Sequence, residues 1–272
     1  MRIGTNYPFN LLVKATPEFR RYRLAASMPP AMGCLAARTL LFRQRRAPSG
    51  SLRYLAVVVY SIAMTAIPRL SLSQQIAWQA EFIVNNIQQT DYQHVDNIDV
   101  DRGVYDCDCN GFVGFVQGRV APDHYAMIPK EADQLRPRAF KYYEFFSSLT
   151  PESTGGWHQI DFLRDARRGD IIAWRFPEIE LGQNTGHVFF VADTAVMIDS
   201  GVFAIRAYDS AAVPHFDDTR GDGEGQFPTG VGSGFINFTV SDTGAPVAFQ
   251  FGPSEDQFVT LPIAIGRVEP LP

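Results

Sequence analysis

Two of the three cysteines in the chain lie one residue apart, in the segment VYDCDCNGFVGF at positions 104–115. A cysteine becomes a useful nucleophile as the thiolate, which a helix N-terminus and a nearby imidazole both favour. Cys109 precedes a small pair of residues and then an apolar run with helical spacing, so we predict that it begins a helix. Free backbone N–H groups at that helix start can also stabilise a tetrahedral oxyanion. Cys107 would lie in the extended approach and gain neither effect.

Other chemistry for this cysteine pair is less consistent with the sequence. A zinc site would need two more ligands at suitable spacing, but there is no second cysteine pair, and Cys34 lies far upstream. No P-loop or dinucleotide-type glycine motif is present, and the acids of DDTRGDGEG (217–225) lack EF-hand spacing. We therefore predict no metal, no cofactor and a solvated loop at 217–225. We expect Cys107 to be a small buried residue, with a redox cap on Cys109 as the alternative.

A cysteine nucleophile needs a general base, and His187 is our candidate among the five histidines. It opens the apolar strand GHVFFV, whereas His94, His124 and His158 lie among polar residues in predicted loops. A lone histidine at a strand start is more often structural. The cysteine at an upstream helix start nevertheless favours a role for His187 as the base.

Asp209 is our candidate for the group that orients this imidazole. It ends the predicted strand VFAIRAYDS, which follows the strand of His187. A carboxylate on a neighbouring antiparallel strand can reach the ring nitrogen that faces away from the thiol. The structural alternative for Asp209 is a turn or cap residue, which the Asp-Ser pair equally suggests.

The elements that must position these residues follow from hydrophobic periodicity. Helical spacing predicts a helix from about Leu72 to Gln89 or Thr90, a second from about Cys109, and a third within RAFKYYEFFSSL (138–149), with a polar loop between the first two. From Arg168 onward the chain reads as strands bounded by Gly or Pro: GDIIAWRF, GHVFFVADTA, VFAIRAYDS, GSGFINFTV, PVAFQF and LPIAIGRV. Helices followed by a run of strands predict one α+β domain over residues 71–272, with an antiparallel sheet.

The segments DCNGFV, RRGDIIAW, NTGHVFFVAD and YDS, in this order, resemble the NlpC-type branch of the papain-like cysteine peptidases. The resemblance spans about residues 75–215. It implies a papain-like α+β fold, with N-terminal helices packed on a mainly antiparallel sheet. It also implies that Cys109 is the nucleophile, His187 the base and Asp209 the orienting residue, with Tyr92 or Tyr105 near the oxyanion. Members are typically exported bacterial enzymes that cut amide bonds in cell-wall peptides.

The chain departs from this family pattern in several places. Asn110 stands where Ser is usual, and Asp209 stands where the family often has His. The 78-residue interval from Cys109 to His187 is long for the family, and we predict that the excess forms a helical insertion at 119–160 bordering the cleft. The strands of residues 226–272 lie beyond the core motifs and are expected to extend the sheet or form a small cap.

Residues 1–70 are predicted to be a basic leader, since the first 53 residues carry ten Lys and Arg against one acid. The charge-free apolar stretch 54–68 is shorter than the roughly 20 residues of a membrane span and suits a signal-peptide core. We predict export with cleavage near Ala63, and Met28 or Met32 as possible true starts. A short uncleaved anchor and a plain core segment are the alternatives. Nucleic-acid binding is disfavoured because the rest of the chain is acidic and lacks a basic aromatic surface.

Together these observations predict a cysteine amidohydrolase that cleaves peptidoglycan stem peptides through an acyl-enzyme. An acyltransferase or another amidase on the same scaffold would use the same nucleophile. A binding module that keeps the fold without turnover is the alternative from another class, although the Cys, His and Asp positions all hold competent residue types.

Overall fold

The computed structural model describes residues 70–152, 155–179, 184–221 and 227–271. The predicted basic leader, the apolar segment 54–68 and its cleavage site, and Cys34 therefore lie outside the described residues. In the part of the chain that is described, no helix is long and apolar enough to cross a membrane.

The described residues form an α+β structure, as predicted. The helices are α1 Leu72–Asn86, α2 Cys109–Val120, α3 Pro122–Tyr125 and α4 Ala139–Ser147, and a 3-10 turn covers Leu163–Asp165. The strands are β1 Asn97–Asp99, β2 Val104–Asp106, β3 Trp157–Gln159, β4 Ile171–Arg175, β5 Gly186–Val191, β6 Val196–Asp199, β7 Val202–Ala211, β8 Gly230–Val240, β9 Pro246–Gln250, β10 Val259–Thr260 and β11 Ile263–Val268. The six strands predicted after Arg168 correspond to β4, β5, β7, β8, β9 and β11.

Nine of these strands form one sheet in the described part of the chain, in the order β10-β9-β8-β7-β5-β4-β11-β3, with β6 paired to β7. Every pairing of named strands in it is antiparallel. The strands of the predicted C-terminal extension enter this sheet, because β8, β9 and β10 continue it beyond β7 and β11 lies between β4 and β3. They extend the sheet and do not form a separate cap.

Apolar side chains cover both faces of the sheet. In β4, Ile171 and Ala173 pack in a core shared with α1, α2 and α4, whereas Ile172 and Trp174 pack in a second core on the opposite face. This alternation follows from the two-residue period of a strand. The central strands β4 and β5 are therefore buried on both sides, and they provide a rigid base for His187.

The predicted first helix is shorter than its periodicity suggested. Ser71 caps α1 with a capping box to Gln74, and the helix ends at Asn86. The next residues leave the helix because their backbone pairs with the segment before α2: Gln88 N donates to Gly103 O at 2.9 Å, and Tyr105 N donates to Gln89 O at 2.9 Å. That segment is the hairpin of β1 and β2, where a polar loop was predicted.

The segment 119–160 contains the end of α2, then α3, α4 and β3. The third predicted helix is α4, whose buried face includes Phe140, Tyr142 and Phe146. Side chains between α3 and α4, including Arg136 and Arg138, line the cavity at Cys109. The segment thus borders the cleft as expected, while its status as an insertion relative to the family stays a prediction.

Candidate active site

Cys109 is the first residue of α2, at the position predicted for it. Asp108 is the N-cap, and its side chain accepts a hydrogen bond from Gly111 N at 2.8 Å. This cap fixes the helix start and occupies one of the N–H groups that a helix leaves free. The thiol is buried, as 3 % of Cys109 is exposed.

The pKa of the Cys109 thiol is raised, not lowered as the helix start alone predicted. Burial is the main cause and the neighbouring Asp108 carboxylate adds to it, while backbone N–H groups of Val188 and Asn110 oppose the rise by favouring the thiolate. A helix N-terminus lowers the pKa of a thiol, but desolvation and the adjacent acid outweigh it here. The raised pKa favours a neutral thiol at Cys109, and a role as nucleophile would require a base to remove its proton.

The structure places His187 and Asp209 in direct contact. His187 is in β5 and Asp209 in β7, and β5 and β7 are neighbours in the sheet. His187 Nε2 lies 2.7 Å from Asp209 Oδ2, and both side chains are buried. Because the ionised carboxylate only accepts, the Nε2 atom carries the proton and the Nδ1 atom is left as the basic nitrogen.

Electrostatics keep His187 neutral and Asp209 charged. Burial lowers the pKa of His187 below its ordinary value, against the opposing effect of Asp209. Burial also opposes ionisation of Asp209, but Arg220, His215 and His187 together hold the pKa of that carboxyl well below its usual range. These effects favour a neutral imidazole at His187 that is hydrogen-bonded to an ionised Asp209.

Cys109 lies beside the part of β5 that carries His187. The N–H of Val188 faces its sulfur, and Gly186 shares a cavity with it. The thiol's hydrogen bond goes to Asn110 Oδ1 at 3.7 Å and not to the His187 ring. Hydrogen bonds between a nucleophile and its base are often formed only when substrate is bound.

Two residues that the sequence reasoning did not single out complete the environment of Asp209. His215 Nε2 lies 2.8 Å from Asp209 Oδ2, and Arg220 Nη2 lies 2.9 Å from Asp209 Oδ1. Asp218 in turn accepts from Arg220 at 2.8 Å. All four side chains are almost fully buried. We call Asp209, His215, Asp218 and Arg220 the sealed network.

Both ring nitrogens of His215 face hydrogen-bond acceptors. Its Nδ1 atom lies 2.9 Å from Phe251 O, and its Nε2 atom lies 2.8 Å from Asp209 Oδ2. A carbonyl and a carboxylate accept hydrogen bonds and do not donate them, so both contacts form only when the ring carries two protons. The sealed network thus places two basic side chains, His215 and Arg220, against two carboxylates.

The prediction of a solvated loop at 217–225 is wrong for the first residues of that segment. Asp218 and Arg220 are buried and bind Asp209 and each other. Runs of acids and glycines usually indicate exposed loops. Here the fold brings the segment against the buried Asp209 carboxylate, which its composition does not indicate. The sequence contained one indication of these contacts, an Asp-x-Arg pair and a histidine within eleven residues of Asp209.

His187, Asp209 and His215 also have the residue types of a metal site, with ligand atoms all within 4.8 Å of one another. Their contacts do not favour a cation. Each imidazole nitrogen that faces Asp209 donates to it, and the Arg220 guanidinium already neutralises the carboxylate. A hydrogen-bond network explains this arrangement better than a metal site does.

A cavity of about 210 Å³ opens in front of the thiol, and we call it the thiol-side cavity. Its lining is polar and charged, and includes Asp108, Asn110, Arg136 and Asn184. Tyr92 lines it together with Cys109, and burial is the main cause of its raised pKa, with the Asp108 carboxylate adding to it. Tyr105 packs edge-on against Phe115 at 5.8 Å and is not among the lining residues. Of the two predicted tyrosines, Tyr92 is the one placed beside the thiol.

Local features hold the two halves of the site in register. Ser210, next to Asp209, donates from Oγ to Cys107 O at 2.6 Å, and so ties β7 to the strand that leads into α2. Gly186, next to His187, has φ 137°, and a Cβ there would lie 1.9 Å from Trp174 O. Only glycine fits this approach of β5 to β4.

Cys107 is fully buried, as predicted, and it lies outside the lining of the thiol-side cavity. Burial is the main cause of its raised pKa, and the Asp96 and Asp108 carboxylates add to it. Its sulfur contacts Tyr105 O at 3.9 Å. These surroundings are typical of a packed, unreactive thiol.

Comparisons of the chain with protein-family models, with curated proteins and with solved structures found no match.

Proposed function

We propose that this chain is a cysteine amidohydrolase of the papain-like NlpC type, with Cys109 as nucleophile, His187 as base and Asp209 as the orienting carboxylate. The observation that carries the proposal is the buried 2.7 Å contact between His187 Nε2 and Asp209 Oδ2, on the strand that lies against the Cys109 sulfur. It assigns the ring protons so that the basic Nδ1 atom remains for the thiol.

In the first half-reaction, His187 Nδ1 takes the proton from Cys109 as the sulfur forms a bond to the amide carbonyl carbon. The imidazolium that results is stabilised by Asp209, whose own charge is held by Arg220 and His215. Free N–H groups at the start of α2 suit the developing oxyanion. His187 then passes its proton to the leaving nitrogen as the carbon–nitrogen bond breaks, leaving a thioester on Cys109.

In the second half-reaction, water attacks the thioester. His187 again acts as base, taking one proton from the water, and returns it to the sulfur as the carbon–sulfur bond breaks. The carboxylic acid product leaves and the neutral thiol is restored. The raised pKa of Cys109 fits this cycle, because the thiol is protonated between turnovers and the base is neutral.

The proposed substrate class and location follow from the resemblance stated above. Peptidoglycan stem peptides present amide bonds in a polar, charged chain, and the thiol-side cavity offers charged and amide side chains at Arg136, Asp108 and Asn184. We propose that the mature chain acts outside the cytoplasm on these peptides, with contact to a membrane only through the N-terminal segment.

Mass spectrometry of muropeptide digests tests the proposal. Incubation of the purified chain with muropeptides should yield defined fragments, and the fragment masses name the bond that is cut. Cys109→Ala and His187→Ala should each abolish the fragments, whereas Cys107→Ala should retain them. Retention of activity in Cys109→Ala would refute the assigned nucleophile.

The same experiment separates the alternatives. Adding an excess of a simple amine distinguishes hydrolysis from acyl transfer, since an acyltransferase would give the amide of that amine in preference to the acid. Binding of muropeptides without fragments, and without a trapped thioester in the intact-mass spectrum, would point to a silent binding module.

A further inference from the structure

A second cavity, of about 240 Å³, has His187 as part of its wall. We call it the aromatic cavity. Its remaining lining is mainly Trp174, Phe176, Phe249, Phe251 and Val259. The charged residue in the described lining is Glu255.

The walls of the aromatic cavity are rigid because their rings pack on one another. Trp174 and Phe249 stack at 4.0 Å between centroids, and Phe251 meets Trp174 edge-on at 5.9 Å. Trp174 and Phe249 come from β4 and β9, and both are almost fully buried. A preformed apolar wall of this kind binds an apolar group through the surface it removes from water, at about 25 cal/mol per Å².

The aromatic cavity is adjacent to the thiol-side cavity, because Asn184 and Gly186 line both. The position of His187 suggests which part of the substrate each cavity receives. During acylation the base must hand its proton to the leaving nitrogen, so the leaving part of the substrate lies on the His187 side of the thiol. The aromatic cavity is on that side.

The arrangement of the rings favours a neutral occupant over a cation. Cation–π binding needs an open aromatic face, but one face of Trp174 is covered by Phe249 and His187 lies 5.1 Å from the same indole at a shallow angle. The Glu255 carboxylate is engaged locally, since its Oε2 accepts from Phe251 N at 2.6 Å. The volume is below the roughly 300–1,000 Å³ of complete ligand sites, which suits one side chain.

We propose that the aromatic cavity is the subsite for a neutral aliphatic or aromatic side chain on the amine side of the scissile amide. The assignment of the amine side rests on the proposed amide hydrolysis. The chain would then select substrates whose leaving amino acid is apolar, while the charged thiol-side cavity receives the acyl part.

The kinetic test uses peptides that share one acyl part and differ in the residue after the cut bond. Leucine or phenylalanine there should give a kcat/KM at least about tenfold above glycine, the scale expected for filling an apolar pocket. Val259→Trp should remove that preference by filling the cavity. Val247→Trp is the matched control, because Val247 is an exposed residue of β9 outside the lining, and it should keep the preference. Equal rates for glycine and leucine would overturn the proposal.

A binding test needs no turnover. Saturation-transfer NMR with leucinamide, glycinamide and lysinamide should show contact for leucinamide in the wild-type chain, Cys109→Ala and Val247→Trp, and its loss in Val259→Trp. Equal signals for glycinamide and leucinamide, or binding of lysinamide alone, would overturn the apolar assignment. Retained leucinamide binding without hydrolysis of any amide would instead overturn the proposed function and leave the apolar preference of the cavity standing.

Discussion

Two Asp–Arg pairs flank the candidate site, one on each side of the Cys109–His187 pair, and they differ in their access to water. Next to the thiol, Arg136 Nη2 lies 2.8 Å from Asp108 Oδ1, with side-chain exposures of 20 % and 8 %. Behind His187, Arg220 Nη2 lies 2.9 Å from Asp209 Oδ1, with exposures of 1 % and 0 %. The two N–O distances are nearly equal, but the pair behind His187 is much less exposed to water.

The difference indicates that the inner pair, Asp209–Arg220, stabilises the fold, whereas the outer pair, Asp108–Arg136, lies at the solvent-accessible cavity. The outer pair also contacts Asp96 and the exposed His94, and solvent can replace any of these partners. The inner pair belongs to the sealed network, in which each charge has only protein groups around it. Breaking the inner pair leaves a bare charge in the interior, whereas breaking the outer pair leaves a charge that water can reach.

The largest expected effect is on catalysis at the thiol. Cys109→Ala should lower kcat/KM for amide cleavage by roughly 10⁴-fold or more, because the acyl-enzyme can no longer form. Its free energy of unfolding should fall by only about 1 kcal/mol, as for a typical point change, so unfolding would not explain the lost activity. The fragments released from muropeptides, measured by mass spectrometry, report the loss, and a turnover rate above one hundredth of wild type would contradict the assignment.

The next largest effect tests the two Asp–Arg pairs against each other. Arg220→Gln should lower the free energy of unfolding by about 3–5 kcal/mol, the range for removing one partner of a buried ion pair. Arg136→Gln, the same change in the outer pair, should lower it by less than about 1 kcal/mol. Urea unfolding followed by fluorescence measures both. Similar losses in the two variants would show that the sealed network is not the stabilising one.

The third prediction concerns pH. His215 and Arg220 both contribute to the lowered pKa of His187, after burial. His215→Gln keeps a donor toward Asp209 but removes a positive charge, so the pKa of His187 should rise. More of the imidazole is then protonated at a given mildly acidic pH, and the acid limb of the Cys109 reaction should move to higher pH.

The rate of Cys109 alkylation by iodoacetamide against pH measures this shift without a substrate. The charged groups that act on His187 are Asp209 from β7, and His215 and Arg220 from the segment after β7. His158→Gln is a control, since His158 pairs with Glu269. An acid limb that stays in place, or that moves to lower pH, would exclude the positioning role of His215.

The smallest effect is expected at the second thiol. Cys107→Ala removes a buried sulfur and should cost about 1 kcal/mol of stability, as typical point changes do. The alkylation rate of Cys109 should remain within about twofold of the wild-type rate. Cys107 does not line the thiol-side cavity and has no part in the proposed proton transfer. Parallel loss of labelling in Cys107→Ala would indicate that the two thiols act together.

Local patterns made the larger part of the fold predictable. The start of α2 at Cys109 and the strands β4, β5 and β7 follow from apolar periodicity, and they suffice to bring His187 beside Asp209. The hairpin of β1 and β2 was missed because its strands are three residues long and rich in polar side chains. Its stability comes from pairing with residues after α1, which no local window contains.

The sealed network was missed for a similar physical reason. Asp218 and Arg220 have the composition of a solvated loop, and their burial depends on where the chain passes after β7. The thiol pKa was mispredicted because desolvation depends on the packing of β5 and α2 around Cys109, not on the residues next to it alone. In both cases the missing information is how much water the fold excludes.

The position of β11 bears on the order in which this domain can be completed during synthesis. β11, residues Ile263–Val268, lies between β4 and β3, although it begins 88 positions after the end of β4 and 104 after the end of β3. Until residue 268 has left the ribosome, the edge of β4 opposite β5 has no partner strand, and β3 has no strand with which to join the sheet. The sheet is thus expected to remain incomplete until β11 is available, and His187 on β5 gains its full support late.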